Sequence, residues 1–206
     1  MVAMAAATGF PVTPSAFAVF VLAAATLIVT PGPDTLFVLS QAVEDRAVGL
    51  RSAAGVTVGI LFHTALVVVG VAAVYRTVPG AREVVRVAGA LYLCYLGIQS
   101  FRSAGMEEPS TGGGLRQGFL VNALNPQVAL FFLAFLPGFV SGAENEPGSL
   151  AFLGVTYASL TAVYLGGVAL LADGAAASLR SDGVGRRLDR IAGALLIALG
   201  VWVLVG

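Results

Sequence analysis

Long apolar runs alternate with short clusters of charged residues, glycine and proline along the whole chain. Each run reaches or exceeds roughly eighteen to twenty residues, the length at which a helix crosses a hydrocarbon layer of about 30 Å. The runs predict six helices, over roughly 16–43, 48–75, 81–102, 116–140, 149–173 and 188–205. Turn signals separate the later ones: Pro79-Gly80, then Glu107-Glu108-Pro109 leading into Gly112 to Gly114, then 144–148, then 181–185. These linkers are too short to hold an inserted soluble domain. The pattern therefore predicts an all-α polytopic membrane protein with residues 1–206 forming a single integral membrane domain.

Two of the runs are interrupted in mid-span. Val29 to Leu39 reads V-T-P-G-P-D-T-L-F-V-L. Pro31 and Pro33 withhold backbone donors and Gly32 relaxes the chain, so the helix is expected to break beside the carboxylate of Asp34. Asn122 to Phe135, N-A-L-N-P-Q-V-A-L-F-F-L-A-F, sets Asn125 and Pro126 in the same place in the fourth run. Irregular backbone at membrane depth is tolerated only where it lines a polar cavity or is buried in protein. Three spans separate the breaks, so the halves enter the membrane in opposite senses. The expected architecture is an inverted 3+3 repeat, about 16–102 and 116–205, with broken helices 1 and 4. The repeat rests on the position of the breaks, since the letters match weakly.

Composition sharpens this picture. Hydrophobic residues make up 58% of the chain and charged ones 11%, and the mean hydropathy is +0.93. Soluble domains of this size lie far from those values, so the lipid bilayer is the expected partner. The net charge of zero gives no reason to expect nucleic acid. Cys94 is the single cysteine, which excludes a disulfide framework and a cysteine metal cluster. Neither a cofactor nor a bound metal is expected. No basic residue precedes Arg46, so the first run reads as a retained span and not as a secretory signal. All eleven basic residues are arginine. Loops one, three and five hold eight of them: Arg46, Arg51, Arg102, Arg116, Arg180, Arg186, Arg187 and Arg190. Only Arg76, Arg82 and Arg86 fall on the other side, which puts the odd loops in the cytoplasm and both termini outside the cell membrane.

The breaks also carry the chemistry. A half-helix begins after each, with Gly32 or Asn125 at its cap and Pro33 or Pro126 in its first turn. Such a start offers free N–H groups and partial positive charge to an anionic group. Asp34 supplies a negative charge nearby. Donors beside one carboxylate suit a zwitterion, of which an α-amino acid is the commonest small example. The competing reading has Asp34 merely capping its own half-helix, although an ionisable group this deep costs at least ~2.5 kcal/mol on insertion. Asn125 may be read in the same two ways, and Asn122, a short turn earlier, can face the same cavity. His63, the single histidine, shares a helix face with Gly55 and Gly59, and its imidazole could carry protons or be held neutral by a neighbouring helix. The same glycines could alternatively form the contact of a homo-oligomer. Tyr92, Tyr95, Gln99, Tyr157, Thr161 and Tyr164 are candidate pocket walls; Asp173 and Trp202 read as membrane-interface residues.

Taken together, T-P-G-P-D-T-L-F-V-L, then Gly49, Gly55, Gly59 and His63, then G-F-L-V-N-A-L-N-P-Q-V-A-L-F-F-L-A-F-L-P-G-F-V at Gly118 to Val140, resemble the LysE/RhtB-type amino-acid exporters. The resemblance runs in order from about Thr30 to Val140. It implies a six-span inner-membrane protein that expels a basic or neutral amino acid, homoserine, threonine or a related lactone, driven by the proton gradient. Its motif positions fall on Pro31, Gly32, Pro33, Asp34, Asn125 and Pro126. Gln127 stands where the family often has lysine and Gly138 where it often has glutamine. The competing readings are a metal-ion efflux protein, which would need several clustered ligands, a membrane-embedded enzyme using Asp34 and His63, and a non-transporting scaffold. The scaffold explains neither break.

Overall fold

Thr13 and Pro14 begin the first helix, α1 (Pro14–Val29): the Thr13 hydroxyl accepts the Ala16 N–H at 3.3 Å, and Pro14 takes the first-turn position where a missing donor does no harm. The computed structural model describes residues 12–30, 32–102, 113–140, 146–172 and 182–205, and among them the regular structure is entirely helical. Pro31, Asp173 and the linkers around 107 and 181 lie outside the described residues, as does the side chain of Gln99.

The chain leaves α1 at Thr30 and resumes as α2 (Pro33–Glu44), bent by 51° from the first segment. Asp45 then turns the corner alone. Its N–H closes α2 on Gln41, and its carboxylate accepts the N–H groups of Ala47 and Val48 to open α3 (Arg46–Thr77). At about 48 Å this helix outreaches the hydrocarbon layer. Gly80, at φ +79, makes the turn into α4 (Ala81–Arg102). The second broken pair is α5 (Leu115–Ala123) and α6 (Pro126–Phe135), which runs on into a 3-10 turn over Leu136–Phe139. Its two arms meet at 64°. Two long helices complete the described chain, α7 (Glu146–Leu170) and α8 (Asp182–Val205).

By length and apolar character, Arg46–Gly70 and Pro147–Leu170 each suffice to cross a membrane, and taking each bent pair as one span brings the number to four. The other two expected spans correspond to α4 and α8. Charges at Arg82, Glu83 and Arg86 interrupt the start of α4, and α8 carries a shorter apolar stretch, Gly193–Trp202, beyond its arginines. Outward-facing valine and leucine are plentiful, among them Val69, Val163 and Leu171, each about 70% exposed or more. Such surfaces suit hydrocarbon far better than water.

Helix α3 is the hub, packing on α2, α5 and α7, while α4 pairs with α8 and touches α6. Close backbone approach makes the α3–α5 contact. A side chain at Gly55 would strike the Leu115 carbonyl and the Phe119 backbone, and one at Gly118 would strike the Ser52 carbonyl. With no hydrophobic drive between helices in lipid, such van der Waals fit is what holds them together. An aromatic cluster supports the far side: Phe20 of α1 meets Phe135 at 5.4 Å and Phe139 at 5.3 Å, Phe131 stacks on Phe135 at 4.8 Å, and Tyr157 of α7 stands edge-on to Phe132 at 5.1 Å. Each such pair adds about 0.5–1.5 kcal/mol beyond its buried area.

Candidate functional site

The polar residues of the two breaks meet inside this apolar frame. Gly32 is the N-cap of α2 in extended backbone (φ −119), and Pro33 and Asp34 follow in the first turn. Among the described residues the first helical bond of α2 runs from the Leu36 N–H to the Gly32 carbonyl at 3.0 Å, and the N–H groups of Asp34 and Thr35 lie in the first turn. Gly32 has no side chain to cap them, and a Cβ built there would touch nothing within 4 Å. Neither fit nor φ demands glycine at this position.

Asp34 does not cap its own helix. The Asn122 amide of α5 donates Nδ2–H to Asp34 Oδ2 at 2.8 Å. Because a carboxylate only accepts, the amide nitrogen must face it, which turns Asn122 Oδ1 away. Both remaining oxygens, Asp34 Oδ1 and Asn122 Oδ1, are shut off from solvent and have no hydrogen-bond partner among the described residues. Asn122 is itself fully buried, at 0% exposure. Gly59 of α3 makes room for it: a Cβ there would lie 2.6 Å from Asn122 Oδ1 and 2.8 Å from Asn122 Cβ.

His63, one turn further along that face and 2% exposed, holds the same asparagine from behind. Its Nε2 lies 3.1 Å from the Asn122 carbonyl oxygen. A carbonyl can only accept, so Nε2 bears the hydrogen. The same oxygen takes the Asn125 N–H at 3.1 Å, so both of its lone pairs are engaged where α5 ends. Asn125 precedes α6 in the cap position, its carbonyl receiving the Ala129 N–H at 3.2 Å, and Pro126 is the first residue of α6. Phe132 lies 6.2 Å from the His63 ring and carries the contact on to Tyr157.

Asp34, partly buried, and the buried Asn122 and His63 therefore form one polar chain across α2, α5 and α3, with the cap residues Gly32 and Asn125 adjoining it in sequence. The face of Gly55, Gly59 and His63 is spent on α5 within the chain and is not free for a second subunit. Of the expected pocket walls, Tyr164 reaches the first break, its hydroxyl donating to the Val29 carbonyl at 3.3 Å. Thr161 bonds its own helix at Tyr157. Tyr92 and Tyr95 stack on each other on α4, with Tyr95 57% exposed. Trp202 packs on Phe139 and stays partly exposed. Three participants escaped the sequence reading: Ser52, buried and accepting the Gly114 N–H at 2.8 Å; Thr64, against which Gly154 of α7 packs; and Phe132. The glycines facing Ser52 and Thr64 were the available signal for those two. Among the described residues, no three His, Cys, Asp or Glu side chains converge as metal ligands would.

The family model for LysE type translocators matches residues 25–206, which takes in both breaks and every residue of this site. The chain belongs to the LysE type translocator family. Among proteins similar to this LysE-type chain is a homoserine/homoserine lactone efflux protein of Salmonella typhimurium, 28% identical over 189 residues, covering 88% of this chain and 92% of that protein. A leucine efflux protein of Enterobacter sp. (strain 638) is 31% identical over 159 residues, 72% of this chain and 75% of its own. A membrane protein of Vibrio cholerae is 25% identical over 190 residues. No solved structure matches the chain. This translocator is thus a multi-pass membrane protein whose buried polar chain joins two broken helices.

Proposed function

We propose that the protein is a secondary exporter of amino acids and close derivatives across the cytoplasmic membrane, coupled to the proton gradient. In this reading it has six spans in an inverted 3+3 repeat, about 16–102 and 116–205, with α4 and α8 completing the set and both termini outside. Asp34 receives the cargo ammonium or the coupling proton, and the first turns of α2 and α6 receive its acyl oxygens. The bent α1–α2 arm then moves against the frame of α3 and α5 about this point.

The observation that carries the reading is the 2.8 Å bond from Asn122 to Asp34, because it ties the polar residue of one broken helix to that of the other, with Asn122 fully buried and Asp34 partly so. Family membership and two relatives named for efflux support the direction of transport. Leucine, homoserine and homoserine lactone share a primary α-amino group, and the lactone has no free carboxylate, so the cargo is expected among small α-amino compounds. An embedded hydrolase fits less well: what lies between Asp34 and His63 is an asparagine, neither nucleophile nor base.

The test is efflux from vesicles preloaded with labelled amino acids, with and without a proton gradient, comparing the intact protein with Asp34→Asn. Losing a buried charge partner lowers export by roughly 100-fold on this reading. Undiminished export by the folded variant, or no export by the intact protein, would sink it.

A further inference from the structure

Two oxygen atoms in the core are left without donors, and they sit at opposite ends of one hydrogen bond. Asp34 Oδ1 belongs to the carboxylate that accepts from Asn122, and Asn122 Oδ1 belongs to the amide that donates to it. A buried acceptor without a partner is costly, and a half-satisfied carboxylate more so. At this one hydrogen bond the imbalance has a definite sign: among the described residues both outer oxygens are acceptors without a donor. Its closest neighbours do not repair it. The His63 hydrogen is spent on the Asn122 backbone, and Gly59 presents no side chain toward Asn122 Oδ1.

We propose that Asp34 Oδ1 and Asn122 Oδ1 together seat the primary ammonium group of the cargo, so that a free amine is obligatory for recognition and a free carboxylate is not. This rests on the exporter reading and narrows its cargo. An ammonium supplies three donors and no acceptor, enough for both orphan oxygens, and neutralises the carboxylate as it does so. A proton on Asp34 Oδ1 would make that oxygen a donor and remove the charge that an ammonium needs, and a bridging water would leave the charge in place. N-acylation of the cargo removes two donors and the charge together and adds an acceptor carbonyl where the site already has too many. Gly59 is then a specificity residue at one remove, since the open space over its Cα sets where Asn122 Oδ1 points.

The experiment uses the purified intact protein and follows ligand-induced stabilisation in thermal unfolding, with leucine, leucine methyl ester and N-acetyl-leucine as probes. The ester keeps the amine and loses the carboxylate; the acetyl compound does the reverse. The proposal expects the ester to bind within a few-fold of leucine and N-acetyl-leucine at least about tenfold more weakly. Equal binding of N-acetyl-leucine and the ester, or binding of the acetyl compound alone, overturns it. Asn122→Ser and Asn122→Leu add a second readout: ester binding falls in both, with the hydroxyl of serine retaining more of it than leucine does. The probe comparison needs no variant, so it stands even where these fold poorly. Vesicle export of leucine is scored in parallel. Ester binding without any export would overturn the exporter reading and leave the amine site standing.

Discussion

The two broken helices solve the same problem by different means. At the second break the chain ends of α5 and α6 are tied together: the Asn122 carbonyl takes the Asn125 N–H and the His63 imidazole, and the Leu124 N–H returns to Leu120 at 3.0 Å. At the first, Thr30 bonds back into α1, and among the described residues the braces from elsewhere in the chain are two side chains, the Asn122 amide on Asp34 and the Tyr164 hydroxyl on the Val29 carbonyl at a longer 3.3 Å. The charged residue sits at the loosely held break and its neutral partner at the tightly held one. A carrier that must bind and then release a cation gains from this division, because the asparagine offers a fixed reference while the carboxylate side can shift. In this view α1 and α2 are the moving arms and α5, clamped to α3 by reciprocal glycines, belongs to the frame.

The largest expected effect comes from erasing the chemical difference between the breaks. Asp34→Asn leaves two amides facing each other, and export falls by roughly 100-fold. Thermal stability of the variant is expected to stay level or rise, since a buried carboxylate gives up more hydration than one amide bond returns. A sharp drop in stability together with activity would instead make Asp34 a structural residue.

Loosening the tight break should come next. His63→Leu removes the donor on the Asn122 carbonyl and frees the asparagine to drift, at about 1–2 kcal/mol, with export down by about five- to tenfold. His63→Gln offers an N–H that can reach the same oxygen and should recover most of that loss. If the two variants are equally inactive in the vesicle assay, His63 moves protons, and its role as a brace is wrong.

How much of this could be read in the sequence depends on the range of the interaction that decides each feature. The breaks follow from local chemistry, Pro33 and Pro126 being unable to continue an i to i−4 ladder, and α2 and α6 start on those residues. The ends of α4 also match the expected 81–102, because Gly80 and the arginines mark them. Partner choice is different. In the sequence Asp34 reads as a cap of its own half-helix or as a carboxylate for cargo or proton, and that Asn122, 88 positions away, donates to it is visible only in the structure. His63 was legible as an inward-facing residue from Gly55 and Gly59, yet not as a brace on a helix end, because that contact is to a backbone carbonyl and leaves no mark in the residue types. Gly32 stands at the N-cap of α2, as its place before Pro33 predicts, and its φ is ordinary.

A smaller effect should follow from the long bond at the first break. Tyr164→Phe deletes only the hydroxyl that meets Val29, so stability falls by about 0.5–1.5 kcal/mol. If α1 and α2 are the moving arms, releasing this contact changes the rate of export by two- to threefold while leaving the affinity for cargo almost unchanged. A change confined to affinity would place Tyr164 in the binding wall.

The smallest effect is the most discriminating, because stability and function are expected to move in opposite directions. Gly32 gives α2 an N-cap without a side chain, so no side-chain cap bond reaches the N–H donors of its first turn, and a Cβ at this position would meet nothing within 4 Å. Serine at this position accepts φ −119 without strain, meets no neighbour, and can take the Thr35 N–H through its hydroxyl. Gly32→Ser should therefore raise stability by a few tenths of a kcal/mol, visible as a slightly higher thermal midpoint. If those donors receive the acyl oxygens of the cargo, the same hydroxyl competes with them and export weakens by about two- to fourfold. Gly32→Ala serves as the control, adding bulk with no acceptor. Export lowered by serine and spared by alanine assigns the effect to the occupied donors; loss in both assigns it to blocked space; and unchanged export in both would show that the loose break holds the cargo through Asp34 alone.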